Sequence, residues 1–222
     1  MRSGGALPYC PVETDRSVTA RVRDVLNVPW RLTNEARRRL AYPYIRAAFA
    51  FHGVAWGKRW RVFGMPIIQR HRSSSIALGD GLGLRSWPRS NPLAPRQPVV
   101  LSTRARGARI TVGEDCGFTG TVLVADDEIT IGDRVQVGAN VSIVDTDFHP
   151  LTSEERARNF NAGASAPITV ADDVFVGMDS LLLKGVTVGA GSVVGAGSVV
   201  SGDVPPRTVV AGNPARVVRE LN

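Results

Sequence analysis

A six-residue repeat between residues 170 and 205 constrains the fold of this chain more than any other feature. Aliphatic residues recur at every sixth position, at Val170, Val176, Leu182, Val188, Val194 and Val200. A β-strand repeats every two residues and an α-helix every 3.6, so neither explains a lasting period of six. The repeat indicates a solenoid in which each hexad forms one flat side, three hexads make one coil, and the aliphatic side chains point inward.

The hexads resemble those of the hexapeptide-repeat acyltransferases. They read VADDVF, VGMDSL, LLKGVT, VGAGSV, VGAGSV and VSGDVP, with a small residue commonly after the aliphatic one. The resemblance implies an all-β solenoid, a left-handed parallel β-helix. The aliphatic positions predict about five coils, and the residues before them predict an N-terminal helical extension. The left hand comes from the resemblance alone, because parallel crossovers are otherwise right-handed. A solenoid scaffold without chemistry remains an alternative.

The aliphatic positions predict two regions. Residues 1–75 form a basic, partly helical extension, and residues 76–222 form the β-helix, with an inserted loop at 144–169. Thr33 or Asn34 is a candidate helix cap, and Pro43 either kinks this helix or begins a second one. The predicted helical hairpin carries an apolar stripe of Leu40, Tyr44, Ala47 and Phe51, which either packs on the solenoid or docks on a membrane.

The charge of the chain is concentrated in the extension. The net charge is +7, and residues 1–75 hold fourteen Lys or Arg against four Asp or Glu. No nucleic-acid-binding motif accompanies these charges, so we expect no nucleic-acid partner. Anionic lipid headgroups, or a lipid-linked or nucleotide-linked substrate, fit the basic surface better. Cys10 and Cys116 are too far apart in sequence for a CxxC motif, and no apolar signal segment is found, so we expect a cytoplasmic protein. We also expect peripheral membrane contact through its basic N-terminus.

The inserted loop carries the candidate catalytic residue. Ile143 and Val170 lie 27 positions apart where six would keep the repeat, and the intervening segment opens with Asp145, Asp147 and His149. Long loops on rigid scaffolds are often functional sites. A γ-type carbonic anhydrase shares the implied fold but needs three histidines to bind its metal. His149 is the only histidine of the repeat region, so we expect no metal site.

By resemblance to the sugar acetyltransferases of this family, His149 is the general base. Imidazole, with an unperturbed pKa of about 6.5, can take the proton of an attacking hydroxyl at neutral pH. Asp145 or Asp147 either orients the ring, binds the acceptor, or only caps the loop. The resemblance also implies that Asp127 contacts the acceptor. Thr119 replaces an asparagine of the galactoside and maltose enzymes, so a simple galactoside acceptor is not implied.

The resemblance further implies an acetyl-CoA site along the last two coils. Its backbone contacts fall at Gly177, Met178 and Ala196, with a backbone N–H near Gly177 as a candidate oxyanion donor. Arg216 and Arg219 match the basic residues that bind the donor phosphates, through charge-assisted hydrogen bonds. The remaining candidates for the donor site are Lys184 and Ser201.

The resulting hypothesis is an acetyl-CoA-dependent O-acetyltransferase. The resemblance implies transfer to a sugar hydroxyl, in cell-surface polysaccharide biosynthesis, by a homotrimer with His149 as general base. An amino sugar, an antibiotic hydroxyl or serine is an alternative acceptor. A non-enzymatic scaffold, recruited to membranes by its basic N-terminus, is the alternative outside enzymes.

Overall fold

A computed structural model describes residues 27–222 as a three-sided β-helix preceded by one long helix. The strands alternate between three parallel sheets, so that every third strand returns to the same sheet one coil later. Five coils contribute a strand to all three sides, and a sixth is completed by a bridge between Val188 and Val204. The predicted left-handed β-helix of about five coils is therefore confirmed.

The first sheet contains eight strands, of which seven are parallel. They are β1 (Arg61–Phe63), β4 (Gly83–Arg85), β7 (Gly117–Thr119), β10 (Gln136–Ala139), β13 (Phe175–Val176), β16 (Val193–Val194), β18 (Thr208–Gly212) and the antiparallel edge strand β19 (Ala215–Glu220).

The second and third sheets contain six and five strands. The second consists of β2 (Ile67–Arg70), β5 (Val100–Thr103), β8 (Val122–Ala125), β11 (Ser142–Val144), β14 (Leu181–Leu182) and β17 (Val199–Val200). The third consists of β3 (Ser75–Leu78), β6 (Arg109–Val112), β9 (Glu128–Ile131), β12 (Ile168–Val170) and β15 (Thr187–Val188). We call the turns from the first to the second sheet the first corner, and those from the second to the third sheet the second corner.

The repeated aliphatic residues stack inside the coils, as their period predicts. Leu182 pairs in register with Ile143 below and Val200 above, and all three are buried. The coils approach so closely at the first corner that a Cβ on Gly177 would lie 2.5 Å from the amide nitrogen of Ala196. Only glycine fits there without moving the backbone.

The boundary of the β-helix lies earlier than predicted. The first coil begins with β1 at Arg61, and β2 also precedes residue 76. Trp60 is buried in the same core and its indole nitrogen donates to the carbonyl oxygen of Gly79 at 2.7 Å. The expected boundary between residues 75 and 76 is therefore corrected to a position just before Arg61.

The segment for which the hairpin was predicted forms one continuous helix instead, α1 (Pro29–Phe51). Pro43 lies inside α1, and the N-cap position is Val28, which makes no side-chain cap. The helix packs on the first coil through Ile45 and Phe49, and the Phe49 ring contacts Trp56 and Trp60 edge to face at 5.5 Å. No helix within residues 27–222 is long and apolar enough to cross a membrane.

The predicted apolar stripe of α1 faces away from the core. Leu40, Tyr44 and Phe51 are exposed, whereas the opposite face buries Ile45 and Phe49. The expectation that the stripe packs on the solenoid is wrong. The opposite face of α1 packs on the first coil instead, through Ile45 and Phe49. The buried polar residues of α1 are satisfied, since Asn34 donates its amide to the Arg89 carbonyl oxygen at 2.6 Å, and Arg38 is paired with Glu35.

Candidate active site

The inserted loop leaves the solenoid at the second corner, between β11 and β12. Its two ends pair with each other, because the Asp147 amide donates to the Ala164 carbonyl and the Ala166 amide donates to the Asp145 carbonyl, both at 2.9 Å. A short helix, α2 (Ser153–Arg158), forms its outer part. Thr152 caps α2 by accepting a hydrogen bond from the Glu155 amide. The loop is thus anchored at its base to rigid strands.

The ring of His149 is oriented by a backbone carbonyl. Its Nδ1 lies 2.6 Å from the carbonyl oxygen of Phe160, and the His149 and Phe160 rings are in contact, with centroids 4.0 Å apart and planes tilted by 38°. A carbonyl can only accept, so Nδ1 carries the proton and Nε2 of the neutral ring keeps its lone pair. Among the described contacts of the ring, neither Asp145 nor Asp147 takes part, so the predicted orienting role of these carboxylates is not what the structure shows.

The backbone beside His149 is held in an uncommon conformation. Phe148 has a φ of 60°, in the left-handed region, and the guanidinium of Arg104 lies 4.6 Å from the centre of its ring. Gly163, from the returning half of the loop, packs directly on this turn, since a Cβ there would lie 2.5 Å from the Phe148 carbonyl carbon. Sequence patterns do not identify Phe160, Gly163 or Arg104, because their roles arise from contacts between distant parts of the chain.

Asp145 is a support for the second corner and not an acceptor ligand. Its side chain is fully buried and accepts hydrogen bonds from the backbone amides of Asp126 at 2.7 Å and Asp127 at 2.9 Å. Burial raises the pKa of the Asp145 carboxyl, an effect that the two amides oppose. Asp145 therefore fixes the turn that carries Asp127 beneath the inserted loop, and the prediction that it binds the acceptor is corrected.

Asp147 and Lys184 form an ion pair at the same corner. The Lys184 ammonium lies 3.1 Å from the Asp147 carboxylate, and both side chains are partly exposed. Lys184 follows β14 and so lies at the second corner, next to the inserted loop. The sequence resemblance instead implies that Lys184 contacts the donor phosphates. Lys184 thus connects the fifth coil to the segment that contains His149.

A second excursion covers the first corner. Residues 86–99 connect β4 to β5, and within them Arg96 forms an ion pair with Asp179 while its amide donates to the side chain of Asn140 at 2.8 Å. Asn91 lies 3.4 Å from the hydroxyl of Thr119. The excursion therefore runs along this corner from the second coil to the fifth.

A cavity of about 640 Å³ opens between this excursion and the start of α1. Its walls include Trp30, Asn34, Arg37, Arg89 and Asn91. The lining contains two guanidinium groups and no carboxylate, so the cavity favours anionic groups.

The residues expected to bind acetyl-CoA lie at two corners. Gly177, Met178 and Ala196 follow strands of the first sheet at the first corner, whereas Ser201 follows β17 at the second corner. The amide of Gly177 donates to the Val194 carbonyl at 2.7 Å, so it is not free to stabilise an oxyanion. The next amide, that of Met178, has no acceptor among residues 27–222.

The two C-terminal arginines lie on the edge strand β19. Arg219 pairs in register with Val209 and Arg216 with Ala211, and both are exposed. Neither has a carboxylate partner among the residues that the structure describes. They are therefore available to an anionic ligand that crosses the last coils.

No group of three or more His, Cys, Asp or Glu side chains in the described part of the chain is arranged to hold a metal ion. Cys116 is buried inside the coil, and burial raises the pKa of its thiol to about 11. A thiol of this kind is protonated and inert at neutral pH. Cys116 is therefore not a candidate nucleophile.

Comparisons with known proteins agree with this architecture. Residues 167–202 match the family described as bacterial transferase hexapeptide, six repeats. Galactoside O-acetyltransferase of Escherichia coli is 39% identical over 126 residues, 56% of this chain and 59% of the enzyme. Galactoside O-acetyltransferase of Lactococcus lactis is 38% identical over 100 residues, 45% of this chain and 47% of the enzyme. The chain spans about half the length of the curated relatives it matches.

A solved structure extends the similarity over nearly the whole chain. A hexapeptide-repeat acetyltransferase of Vibrio cholerae, crystallised with acetyl coenzyme A, superimposes with a TM-score of 0.53 at 26% identity. The match covers 92% of this chain and 91% of the other. The resemblance to hexapeptide-repeat acyltransferases, predicted from the hexads, is confirmed.

Proposed function

We propose that this hexapeptide-repeat protein, a left-handed β-helix, is an acetyl-CoA-dependent O-acetyltransferase that acts on a sugar hydroxyl. The observation that carries the proposal is the placement of His149, on a loop anchored to the coils, with Nδ1 held by the Phe160 carbonyl. This arrangement leaves Nε2 as a base that needs no carboxylate partner. The galactoside O-acetyltransferases and the acetyl coenzyme A complex of the Vibrio cholerae protein support the reaction class.

The reaction transfers the acetyl group directly. Nε2 of His149 takes the proton of the acceptor hydroxyl as its oxygen attacks the thioester carbonyl carbon. The tetrahedral intermediate then collapses, the carbon–sulfur bond breaks, and the CoA thiolate receives the proton from the imidazolium. The amide of Met178 is the candidate donor to the oxyanion, because it lies at the expected donor site and has no acceptor among residues 27–222.

The donor is proposed to lie along the upper coils, with its pantetheine arm at Gly177, Met178 and Ala196. The exposed guanidiniums of Arg216 and Arg219 would bind its phosphates. Acetyl-CoA is an intracellular thioester, so we place the reaction in the cytoplasm.

The acceptor is proposed to be a precursor of a cell-surface polysaccharide that carries phosphate. Asp127, at the turn supported by Asp145, would bind its sugar near His149. The cavity beside Arg37 and Arg89 has room for a further group, and its two cations favour a phosphoryl group over a neutral sugar. Thr119, near the wall of this cavity, replaces an asparagine of the galactoside enzymes and supports a different acceptor.

A homotrimer is proposed because one chain divides its site residues between two corners. Met178 and Ala196 lie at the first corner, whereas His149, Asp127 and Lys184 lie at the second. In a closed ring, the first corner of each copy can meet the second corner of the next. The active site would then form between neighbouring subunits.

Mixed trimers test this arrangement. A Met178→Arg chain lacks only the first-corner half of the site, and a His149→Ala chain lacks only the second-corner half. If the site lies between subunits, random assembly of the two inactive chains restores about a quarter of wild-type activity. No recovery, with trimers present by light scattering, would contradict the shared site.

The function itself is tested by His149→Gln, with His71→Gln as a matched control outside the inserted loop. We expect CoA release with the best acceptor of a saccharide panel to fall 10²- to 10⁴-fold in the first variant only. Acetyl-CoA affinity, measured by calorimetry, should stay within about threefold in both variants and weaken at least tenfold in Arg216→Ala/Arg219→Ala. Normal turnover of His149→Gln would refute the mechanism, and transfer to amines alone would replace the hydroxyl acceptor with an amino sugar.

A further inference from the structure

The helix α1 presents large apolar side chains to solvent along one line. Leu40, Tyr44 and Phe51 are 82%, 71% and 87% exposed, and with Ala47 they form what we call the outer stripe. Positions 40, 44, 47 and 51 follow the spacing of one helical face. From Leu40 to Phe51 the stripe is about 16 Å long, at 1.5 Å per residue.

The fold does not need the outer stripe to hold α1 in place. The opposite face packs Phe49 against Trp56 and Trp60, and the Tyr42 hydroxyl donates to the Trp60 carbonyl at 2.6 Å. Glu35 on this inner side lies within ion-pair distance of Arg61. Single exposed apolar residues are common on protein surfaces, but a continuous line of large ones on an otherwise well-packed helix indicates an interaction surface.

The charges of α1 indicate what the partner is. The helix contains five arginines and one glutamate. The glutamate is Glu35, whose pKa is lowered mainly by its hydrogen bond to Arg38, so it faces the inner side as an ion-paired carboxylate. Arg37 flanks the outer stripe on one side, and Arg39 and Arg46 flank it on the other. All three are exposed, with Arg39 3.6 Å from the Glu35 carboxylate and the Arg46 guanidinium 5.6 Å from the centre of the Trp56 ring.

We propose that the outer stripe docks the protein onto a bilayer surface that carries anionic lipid headgroups. An apolar line bordered by cations and free of carboxylates matches the boundary between acyl chains and negative headgroups, with α1 parallel to the surface. Pairing of the stripe with a second copy of itself would bring the arginines of two helices together, which like-charge repulsion opposes. Arg37 also lines the cavity proposed for the acceptor, but the apolar residues of the outer stripe do not, so the docking proposal stands whether or not the chain transfers acetyl groups.

Co-sedimentation of the full chain with vesicles tests the proposal. Vesicles of phosphatidylglycerol and phosphatidylcholine at 3:7 are compared with pure phosphatidylcholine, at low salt and at 0.5 M NaCl. We expect binding to the anionic vesicles that weakens at high salt, because the attraction of surface charges is screened. Equal binding to both vesicle types, or binding to neither, would overturn the proposal.

Two sets of variants separate the apolar and the cationic contributions. Leu40→Ser/Tyr44→Ser/Phe51→Ser should lower the partition coefficient on anionic vesicles at least a hundredfold, since each side chain loses its buried apolar area. The control is Val217→Ser/Val218→Ser, which removes apolar side chains that are 59% and 63% exposed on β19 and should not change binding.

Arg39→Gln/Arg46→Gln, which leaves the cavity residue Arg37 in place, should lower binding about thirtyfold and reduce its salt dependence. Thermal unfolding checks that each variant is folded, which we expect because none of these side chains belongs to the core. If the apolar variant binds vesicles normally, the stripe is not the docking surface. If that variant instead changes the molar mass in light scattering, the stripe is a contact between subunits, and the proposal fails.

Discussion

Gly163→Ala is expected to slow catalysis by displacing His149 without touching either substrate. A Cβ at position 163 would lie 2.5 Å from the Phe148 carbonyl carbon and 2.6 Å from the His149 amide nitrogen. Ordinary contacts between such atoms are about 3.5 Å, so the turn must move by about 1 Å. A displacement of that size at a catalytic group costs about a hundredfold in rate, or about 2.7 kcal/mol of transition-state stabilisation.

The measurement is the turnover number for CoA release at saturating acetyl-CoA, together with donor affinity by calorimetry. We expect kcat to fall about a hundredfold and the affinity for acetyl-CoA to stay within a factor of three, because the donor residues lie on other segments. Gly83→Ala is the matched control, since its Cβ would meet nothing closer than 3.9 Å. A Gly163→Ala protein with kcat within twofold of wild type would show that the contact does not position His149.

Further predictions concern the stability of the coil. Leu182→Ala should lower the free energy of unfolding in urea by about 3 kcal/mol, because it leaves a cavity at a fully buried position. Val217→Ala on the exposed edge strand should lower it by less than about 0.5 kcal/mol. Equal losses would contradict the inward register of the hexads. Asp145→Ala should cost about 2 to 4 kcal/mol, because it leaves two backbone amides of the second corner without their acceptor, and an unchanged urea midpoint would contradict that role. Cys116 binds its proton more tightly in the folded state, so its contribution is complete below about pH 8.5 and is lost towards pH 11. Between pH 8.5 and 10 the wild type should lose about 1.5 kcal/mol more stability than Cys116→Ala, and parallel pH profiles would refute this.

The predictions from the sequence agree with the structure in the repeated coils. They differ from it where a single tertiary contact decides which side chains are buried. The period of six predicted the solenoid and the inward aliphatic residues, because each coil requires the same residue type at the same place. The extension has no such repetition. Its stripe of Leu40, Tyr44 and Phe51 was predicted from helical spacing, but spacing does not say which of two apolar faces is buried. The contact of Phe49 with the two tryptophans decided that question.

The candidate site shows the same division. His149 is a candidate from the sequence alone, because it is the only histidine of residues 76–222 and lies where the period breaks. The roles of the neighbouring carboxylates were not found. Asp145 and Asp147 look equivalent in the sequence, yet one is buried under two amides and the other pairs with Lys184 from the next coil. Those partners lie 18 to 37 positions away along the chain.

The sequence by itself determined the solenoid, its core and the position of the inserted loop, because these follow from local periodicity and its interruption. Only the tertiary structure decided which atom orients His149, which carboxylate supports the turn of Asp127, and which face of α1 meets solvent. Each of these depends on backbone groups or side chains brought together from separate coils. A hydrogen bond to a backbone carbonyl such as that of Phe160 requires no particular side chain, so it cannot be predicted from the sequence.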